Sequence, residues 1–413
     1  MLGRLNDKHQ EAIIIGAGFA GLLAAYRLLA RGWRVTLYEA QNRAGGLIHT
    51  AQTEYGIAEA AAHTIRSSPA TEALFQELGI ETVAARTKKK YIWRGGEFCR
   101  FPLSLTETAG MAARAAFMPA KPPYENLHEW VLHHLGQPAL DNLIYPMLKG
   151  IYAACAAELS PQLVFPALLP PCGKSLLHHL CTQPHGRYRP YAMAPRAGMT
   201  ALTQAMLERI KQSPRAQIFL GKQVTVLPDA ANVIITAPAP SAAQILQSQF
   251  PRSAHALAAI RYAPLIAATV FLDKKHYRAP EGIGVLCAAH EPRRALGILF
   301  NSCGFAGRVR DEENIASYTV MLGGTGDTDI LNLSDTALNV LVETELQAML
   351  KLSAPPLQIV IHRWPSAIPL YSPALAAAHQ ILREDFCAAP GRILFGNYTG
   401  QISLRGMADS FLM

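Results

Sequence analysis

Residues 12–46, AIIIGAGFAGLLAAYRLLARGWRVTLYEAQNRAGG, decide the fold of this 413-residue chain. The apolar run 12–15 predicts a buried parallel strand that stops at Gly16. Gly16 permits a tight turn, Gly18 lets the backbone approach a phosphate with no Cβ between them, and Gly21 lets the next helix pack closely on the strand. That helix is predicted over 21–30, and a second strand over 34–39. The second strand ends on the Glu39 carboxylate, 18 residues beyond Gly21, where an acid can accept both hydroxyls of an adenosine ribose. A glycine motif alone is weak evidence. Strand, glycines, helix, strand and acid in this order point to a dinucleotide whose pyrophosphate rests on a helix N terminus.

Composition bounds the rest. The length predicts two or three interleaved units rather than one core, and with half the residues apolar and 16% charged a large interior is available. The net charge of +8 suits nucleic acid, an anionic membrane surface or an anionic substrate. The longest basic run is Lys88-Lys89-Lys90 and no nucleic-acid-binding motif is present, so nucleic acid is not an expected partner. Seven cysteines without a CxxC pair read as thiols in a reducing cytoplasm. The histidines, including His133-His134 and His178-His179, lack metal-ligand spacing; they read as ordinary surface or core residues, and no metal is expected. The first strand begins too close to Met1 for a signal peptide, and no stretch reaches the roughly 18 apolar residues of a spanning helix. A cytoplasmic protein is expected, soluble or peripheral on the inner face of a membrane. Residues 102–120 read either as a helix on a membrane surface or as a plain internal helix.

Along the chain, Pro69 opens a helix that Gly79 closes, and 88–104 reads as two short strands around Arg94-Gly95-Gly96. A mostly helical insertion is predicted over 105–180, with helices at 126–135 and 138–148. An amphipathic helix follows Gly198, and two or three strands over 216–240 return toward the nucleotide fold. Residues 262–361 alternate strands with one long helix over 333–350, a sheet covered on one face. The segment 391–411 reads as strand, glycine loop and helix start, a second helix N terminus able to face a cofactor. No internal repeat or low-complexity tract is visible.

Beyond Glu39 the pattern ExxxRxGG, with Arg43, Gly45 and Gly46, resembles the two-dinucleotide-domain flavoproteins: amine oxidases, phytoene desaturases and protoporphyrinogen oxidases. This places FAD ahead of NAD. Four further blocks, KKYIWRGGEFCRFPLS, YPMLKGIYAACAAELS, SYTVMLGG and HRWPSAIPLY with GNYTGQISLRG, make the chain similar to the oxygen-dependent protoporphyrinogen oxidases from Ile13 onward. The resemblance implies an α/β fold of amine oxidase / p-hydroxybenzoate hydroxylase-like architecture. A discontinuous Rossmann-like FAD-binding domain would take 1–85, 190–250 and 376–413, an α+β substrate-binding domain with a mixed sheet 86–104 and 251–375, and a helical domain able to associate with a membrane 105–189.

It implies further that FAD is held non-covalently, since no cysteine lies in the C-terminal flavin block. The implied cofactor contacts are Gly16, Ala17, Gly18, Phe19, Ala20, Gly21, Glu39, Ala40, Arg43, Gly45, Gly46, Leu47, Ala61, Ala62, His63, Thr64, Val224, Trp364, Gly396, Asn397, Gln401, Ile402 and Ser403. The implied activity is the six-electron oxidation of a porphyrinogen, protoporphyrinogen IX first, to the porphyrin in haem biosynthesis with O2 as acceptor. No catalytic residue is expected beyond the flavin. Leu286, Leu299 and Met321 would sandwich the macrocycle, with Gly150 and Arg66 also at the substrate, and Lys90 would anchor a propionate. A homodimer or contact with other haem-pathway enzymes is a further expectation.

The chain departs from that family at several points. Lys90 stands where the family has arginine, which keeps the charge but loses the bidentate fork. Ala61-Ala62 replace a Gly-Pro pair after Glu59, Ala153-Ala154 replace a glycine-containing pair, Ser410 replaces a glycine, and the last helix stops at Met413. Added Cβ atoms could displace a ring, and a short last helix would weaken FAD retention or call for a neighbouring chain. These departures leave room for coproporphyrinogen III as substrate, for another amine-oxidase-type or desaturase flavoenzyme, or for a non-catalytic tetrapyrrole-binding paralogue.

Overall fold

The computed structural model describes residues 1–184, 186 and 188–411. A five-stranded sheet, parallel at every pairing, runs in the order Ala216–Phe219, Arg34–Tyr38, Glu11–Ile15, Val233–Ile235, Arg392–Leu394. Its centre is the run Ile13-Ile14-Ile15, flanked in register by Val233 to Ile235 and by Thr36 to Tyr38. Apolar side chains on both faces need cover on both sides. The helix Phe19–Ala30 supplies one cover through Leu22, Leu23, Ala25 and Leu28. It begins two residues before the predicted position because the chain turns into the helix directly after Gly18. The second strand ends at Tyr38, leaving Glu39 just outside the sheet. The region 216–240 contributes two strands to this sheet.

A second, seven-stranded sheet runs in the order Gln358–Pro369, Tyr262–Asp273, Ile315–Gly323, Ala295–Leu299, Gly284–Cys287, Lys90–Arg94, Glu97–Cys99. All pairings are antiparallel except Gly284–Cys287 with Lys90–Arg94. The helix Asp335–Leu350 packs Leu338, Val342, Leu346 and Met349 against Val285, Ile298, Val320 and Ala268. It starts later than predicted because the Ser334 side chain accepts from Ala337 N–H and fixes the N terminus there. Only one face of this sheet is covered in this way; the other is turned toward the parallel sheet and the helical region.

In the helical region, 137–152 is a continuous helix whose middle, Leu140–Ile144, widens to a π turn. Pro146 cannot donate to the ladder, and the widened turn precedes it. The helix Leu105–Phe117 has no buried residue, and Phe101, Leu105 and Phe117 are exposed. Among the described residues no helix is long and apolar enough to cross a membrane. Residues 412 and 413, on which the expected early end of the last helix falls, lie outside the described residues.

Candidate active site

The glycine turn has the geometry its sequence demands. Gly16 adopts φ 107°, and a Cβ on Gly21 would lie 1.8 Å from the Gly16 carbonyl oxygen, so helix and strand touch backbone to backbone there. Gly18 differs: its φ is ordinary, and a Cβ would meet only Gly46 Cα, at 3.8 Å. It caps the helix with no side-chain acceptor, which leaves the first-turn N–H groups available to an external anion. Gly45 and Gly46 take left-handed conformations beside it, and Gly18 bridges Gly45. Arg43 holds this loop by donating to the Gly46 carbonyl at 2.7 Å. Glu39 accepts from Ala17 N–H at 2.7 Å and from Gln41 N–H at 2.9 Å, tying the acid to the turn. Ala17, Phe19 and Ala20 are buried, so toward a cofactor they can offer only main chain, whereas Ala40 and Leu47 are exposed.

A second group of expected cofactor residues lies where the two sheets meet. Trp364 donates its indole N–H to the Ala60 carbonyl at 2.6 Å and fastens the large sheet to the segment carrying Ala61, Ala62, His63 and Thr64. Neither Ala61 nor Ala62 has a positive φ, so alanine at these positions carries no left-handed strain. Beneath them Arg308 and Glu59 form a buried ion pair at 3.2 Å, and Glu59 also accepts from Thr50 and from Met199 N–H. Burial is the largest influence on the Glu59 carboxyl and raises its pKa against these bonds. The Nε2 atoms of His63 and His362 are buried and have no hydrogen-bond partner among the described residues. Burial, then the charges of Arg308 and His362, depress the His63 pKa to about 3; burial and His49 lower that of His362. Both rings are therefore neutral at pH 7, and His49 stands edge-on to His362 at 6.4 Å between ring centroids. His49, Arg308 and His362 were not among the expected site residues. His362 was within reach, because it lies two positions before Trp364 on a strand and so shares its face.

Among the C-terminal residues, Asn397 lends its carbonyl to Tyr371 Oη at 2.6 Å and Gly396 is buried. The helix Leu404–Ser410 is capped by Ser403, whose Oγ accepts from Gly406 N–H at 3.0 Å. A Cβ on Gly406 would meet the Gln401 side chain, so Gln401, Ser403 and Gly406 close on one another. Ile402 and Val224 are half-buried against the core behind the parallel sheet. Ser410 is helical and donates to the Met407 carbonyl; nothing there requires a glycine.

The expected substrate residues converge through strand register. Lys90 pairs with Gly284, Gly284 with Leu299, and Leu299 with Thr319. Two residues along, Ile92 pairs with Leu286, Leu286 with Gly297, Gly297 with Met321, Met321 with Ala267, and Ala267 with His362. Successive residues alternate faces, so Lys90, Leu286, Leu299, Met321 and His362 share the face opposite the helix Asp335–Leu350. The helix Tyr145–Tyr152 roofs this face: a Cβ on Gly150 would lie 2.7 Å from Leu286 Cδ2. The space between Gly150 and Leu286 is thus filled by leucine, and a macrocycle enters it only if that side chain rotates. Lys90 has no ion pair among the described residues. Burial of its ammonium and the neighbouring Arg66 lower its pKa, although the residue as a whole is exposed. Arg66 donates to the Pro190 carbonyl at 3.1 Å.

Beside the roof helix lies a cavity of about 510 Å³ lined by Tyr145, Lys149, Glu158, Arg293, Leu296 and Asp327 among others. Ala153 also lines it and closes the helix with φ 51°, a left-handed position at which glycine would be relaxed. Among the described residues no cluster of three or more His, Cys, Asp or Glu is disposed to hold a metal.

These residues suit a dinucleotide with a polar ring system: an uncapped helix start beside an open Gly18, and two buried, unpartnered imidazole nitrogens beside the segment carrying His63. Comparison with known proteins agrees. Residues 19–411 match the family model of flavin containing amine oxidoreductases. Protoporphyrinogen oxidase 2 of Arabidopsis thaliana is 25% identical, covering 97% of this chain and 93% of its own. The coproporphyrinogen III oxidase of Mycobacterium leprae is 26% identical over 88% of each. A crystal structure from Exiguobacterium sp. 255-15, provisionally named a protoporphyrinogen oxidase, superposes with a TM-score of 0.76 at 20% identity, covering 97% of this chain and 98% of that one. The glycine cradle, the two-sheet architecture and the near full-length match lead to one conclusion: this chain belongs to the flavin-containing amine oxidoreductase family and is a flavin-dependent oxidoreductase.

Proposed function

We propose that the chain oxidises a porphyrinogen to the porphyrin, with FAD held non-covalently and O2 as the final electron acceptor. The observation that supports this most is the single sheet face that collects Lys90, Leu286, Leu299 and Met321 and leads across Ala267 to His362, next to Trp364. Such a face offers a flat apolar floor with a cation at one edge, which suits a macrocycle bearing acidic side chains. The bound flavin supplies the electron acceptor for each two-electron step. The protein supplies position. Phosphate would rest on the start of the helix Phe19–Ala30, and Glu39 would turn its oxygens from Ala17 and Gln41 toward a ribose. Lys90, with Arg66 near, would orient a carboxylate whose charge offsets the neighbour and the burial that lower the Lys90 pKa. Leu286, Leu299 and Met321 would exclude water from the reacting carbon. Protoporphyrinogen IX and coproporphyrinogen III are the two candidate substrates, and peripheral membrane contact through the exposed helix Leu105–Phe117 belongs to the same reading. In the same reading an FAD-binding domain takes 1–85, 190–250 and 376–413, a substrate-binding domain 86–104 and 251–375, and a helical domain 105–189.

Anaerobically prepared porphyrinogen tests this. Porphyrin fluorescence rising with oxygen uptake supports it; turnover of amines alone, or binding without turnover, overturns it. Lys90→Met should raise KM about tenfold, the worth of one charge-assisted contact partly open to water. An unchanged KM would remove Lys90 from the site.

A further inference from the structure

The cavity beside the roof helix is lined by two cations that donate no hydrogen bond to a carboxylate among the described residues, Lys149 and Arg293. Arg294 is engaged by Asp327 through two bonds, at 2.9 and 2.6 Å. Glu158 accepts from Thr325 and from Cys155 and faces Arg261 at 3.5 Å. Both carboxylates of the cavity wall are therefore committed. Arg293, by contrast, comes no nearer than 3.8 Å to Glu345, and among the described residues its guanidinium makes no hydrogen bond. Glu345 Oε2 is buried and, among the described residues, accepts no hydrogen bond, so the two face each other only as a long ion pair. Lys149 has no ion pair among the described residues; its Nζ stands over the Tyr145 ring at 4.8 Å. A lysine and a half-buried arginine, both aimed into one recess beside committed acids, form a receptor for an anion.

Its position says which anion. Lys149 precedes Gly150, the residue that roofs Leu286, and Leu296 precedes Gly297, the residue that pairs with Leu286. Cavity and candidate substrate face thus share one roof helix and one strand. Leu296 lies three residues along and two strands across from Lys90, on the order of 14 Å between Cα atoms. Lys90 marks one edge of the face, and Lys149 with Arg293 marks the diagonally opposite one. We propose that this cavity is a second carboxylate subsite, so that the site holds a macrocycle with acidic side chains on opposite edges and favours coproporphyrinogen, acidic on all four rings, over protoporphyrinogen, acidic on two neighbouring ones. This inference rests on the porphyrinogen reading above. Carboxylates seated at both ends also set the rotation of the macrocycle in its plane, and hence which of its carbons faces the flavin.

The test is porphyrin binding to the FAD-loaded protein, with coproporphyrin III and protoporphyrin IX as stable stand-ins and intrinsic fluorescence quenching as readout. Wild type should bind coproporphyrin at least tenfold more tightly. In Lys149→Met with Arg293→Gln the ratio of the two dissociation constants should fall at least tenfold, and Lys149→Arg should retain it. Thermal melts of each variant identify any that fail to fold, and Lys149→Glu, which reverses the charge without removing the stem, should invert the preference. A ratio that is the same in wild type and in both Lys149→Met with Arg293→Gln and Lys149→Glu overturns the subsite while leaving the porphyrinogen reading intact. Binding of neither porphyrin to the wild type overturns both.

Discussion

The glycine cradle on the parallel sheet and the candidate substrate face on the seven-stranded sheet are built from different materials. Backbone atoms make the cradle. Gly21 is fixed by a carbonyl oxygen 1.8 Å from where its Cβ would be, and the loop at Gly45 and Gly46 turns with positive φ. Side chains make the substrate face, on a floor set by strand register. A site built from backbone tolerates few residue types, because a peptide cannot move aside; a site built from side chains accepts many shapes. The cradle accordingly announces its ligand class in the sequence. The face does not, and its acidic or neutral, wide or narrow occupant depends on individual residues such as Lys149.

Four sets of substitutions put this contrast to the test. The largest effect is expected at the join of the two regions. Arg308→Met leaves Glu59 buried without its cation and should cost about 3–5 kcal/mol in urea unfolding. Adding Glu59→Leu should recover much of it, and a single variant as stable as wild type would show that the pair does not hold the regions together. Next, Gly21→Ala should cost roughly 2–3 kcal/mol, since backbone must separate from backbone. Third, acid should weaken the fold through His63. Its folded pKa is depressed to about 3, so the unfolded chain binds the extra proton below its own value near 6.5. Stability is complete above that pH and declines as pH falls toward 3, by about 2 kcal/mol at pH 5. His63→Phe should flatten this slope; an equal slope would place the proton uptake elsewhere, for example at His134, which burial, and then the charge of His133, depress to about 4. Last, Gly18→Ala has room for its Cβ, so the melting temperature of the cofactor-free protein should hold, while flavin affinity falls about tenfold, near 1.4 kcal/mol. Unchanged affinity would mean that phosphate does not rest over Gly18.

Legibility follows the same division. The first strand, the glycines and the acid at 39 are local signals within one βαβ stretch, and the structure differs from their reading by at most two residues at an element end. The long helix and the strands of the second sheet were legible from their periodicity, except that the Ser334 cap moved one end; in the helical region a turn widens ahead of Pro146. What could not be read locally is pairing between residues some 200 positions apart, as in Lys90 with Gly284. That pairing, more than any motif, brings the expected substrate residues to one face. His49, His362 and Arg308 escaped notice because isolated histidines and arginines are usually unremarkable; burial of Arg308 and of the His362 Nε2, with His49 edge-on to that ring, gives them their character, and these are properties of the tertiary fold. Alanine at 61 and 62 stands on ordinary backbone angles, whereas Ala153 occupies a left-handed position, and neither difference has a local signal in the sequence.

The parallel sheet draws its neighbouring strands from residues near 13, 234 and 393. During synthesis the ribosome therefore delivers the glycine turn before the second sheet, but the strand at Arg392–Leu394 only after the whole of that sheet has emerged. Throughout that interval the nascent protein carries a cofactor grip with an open flank.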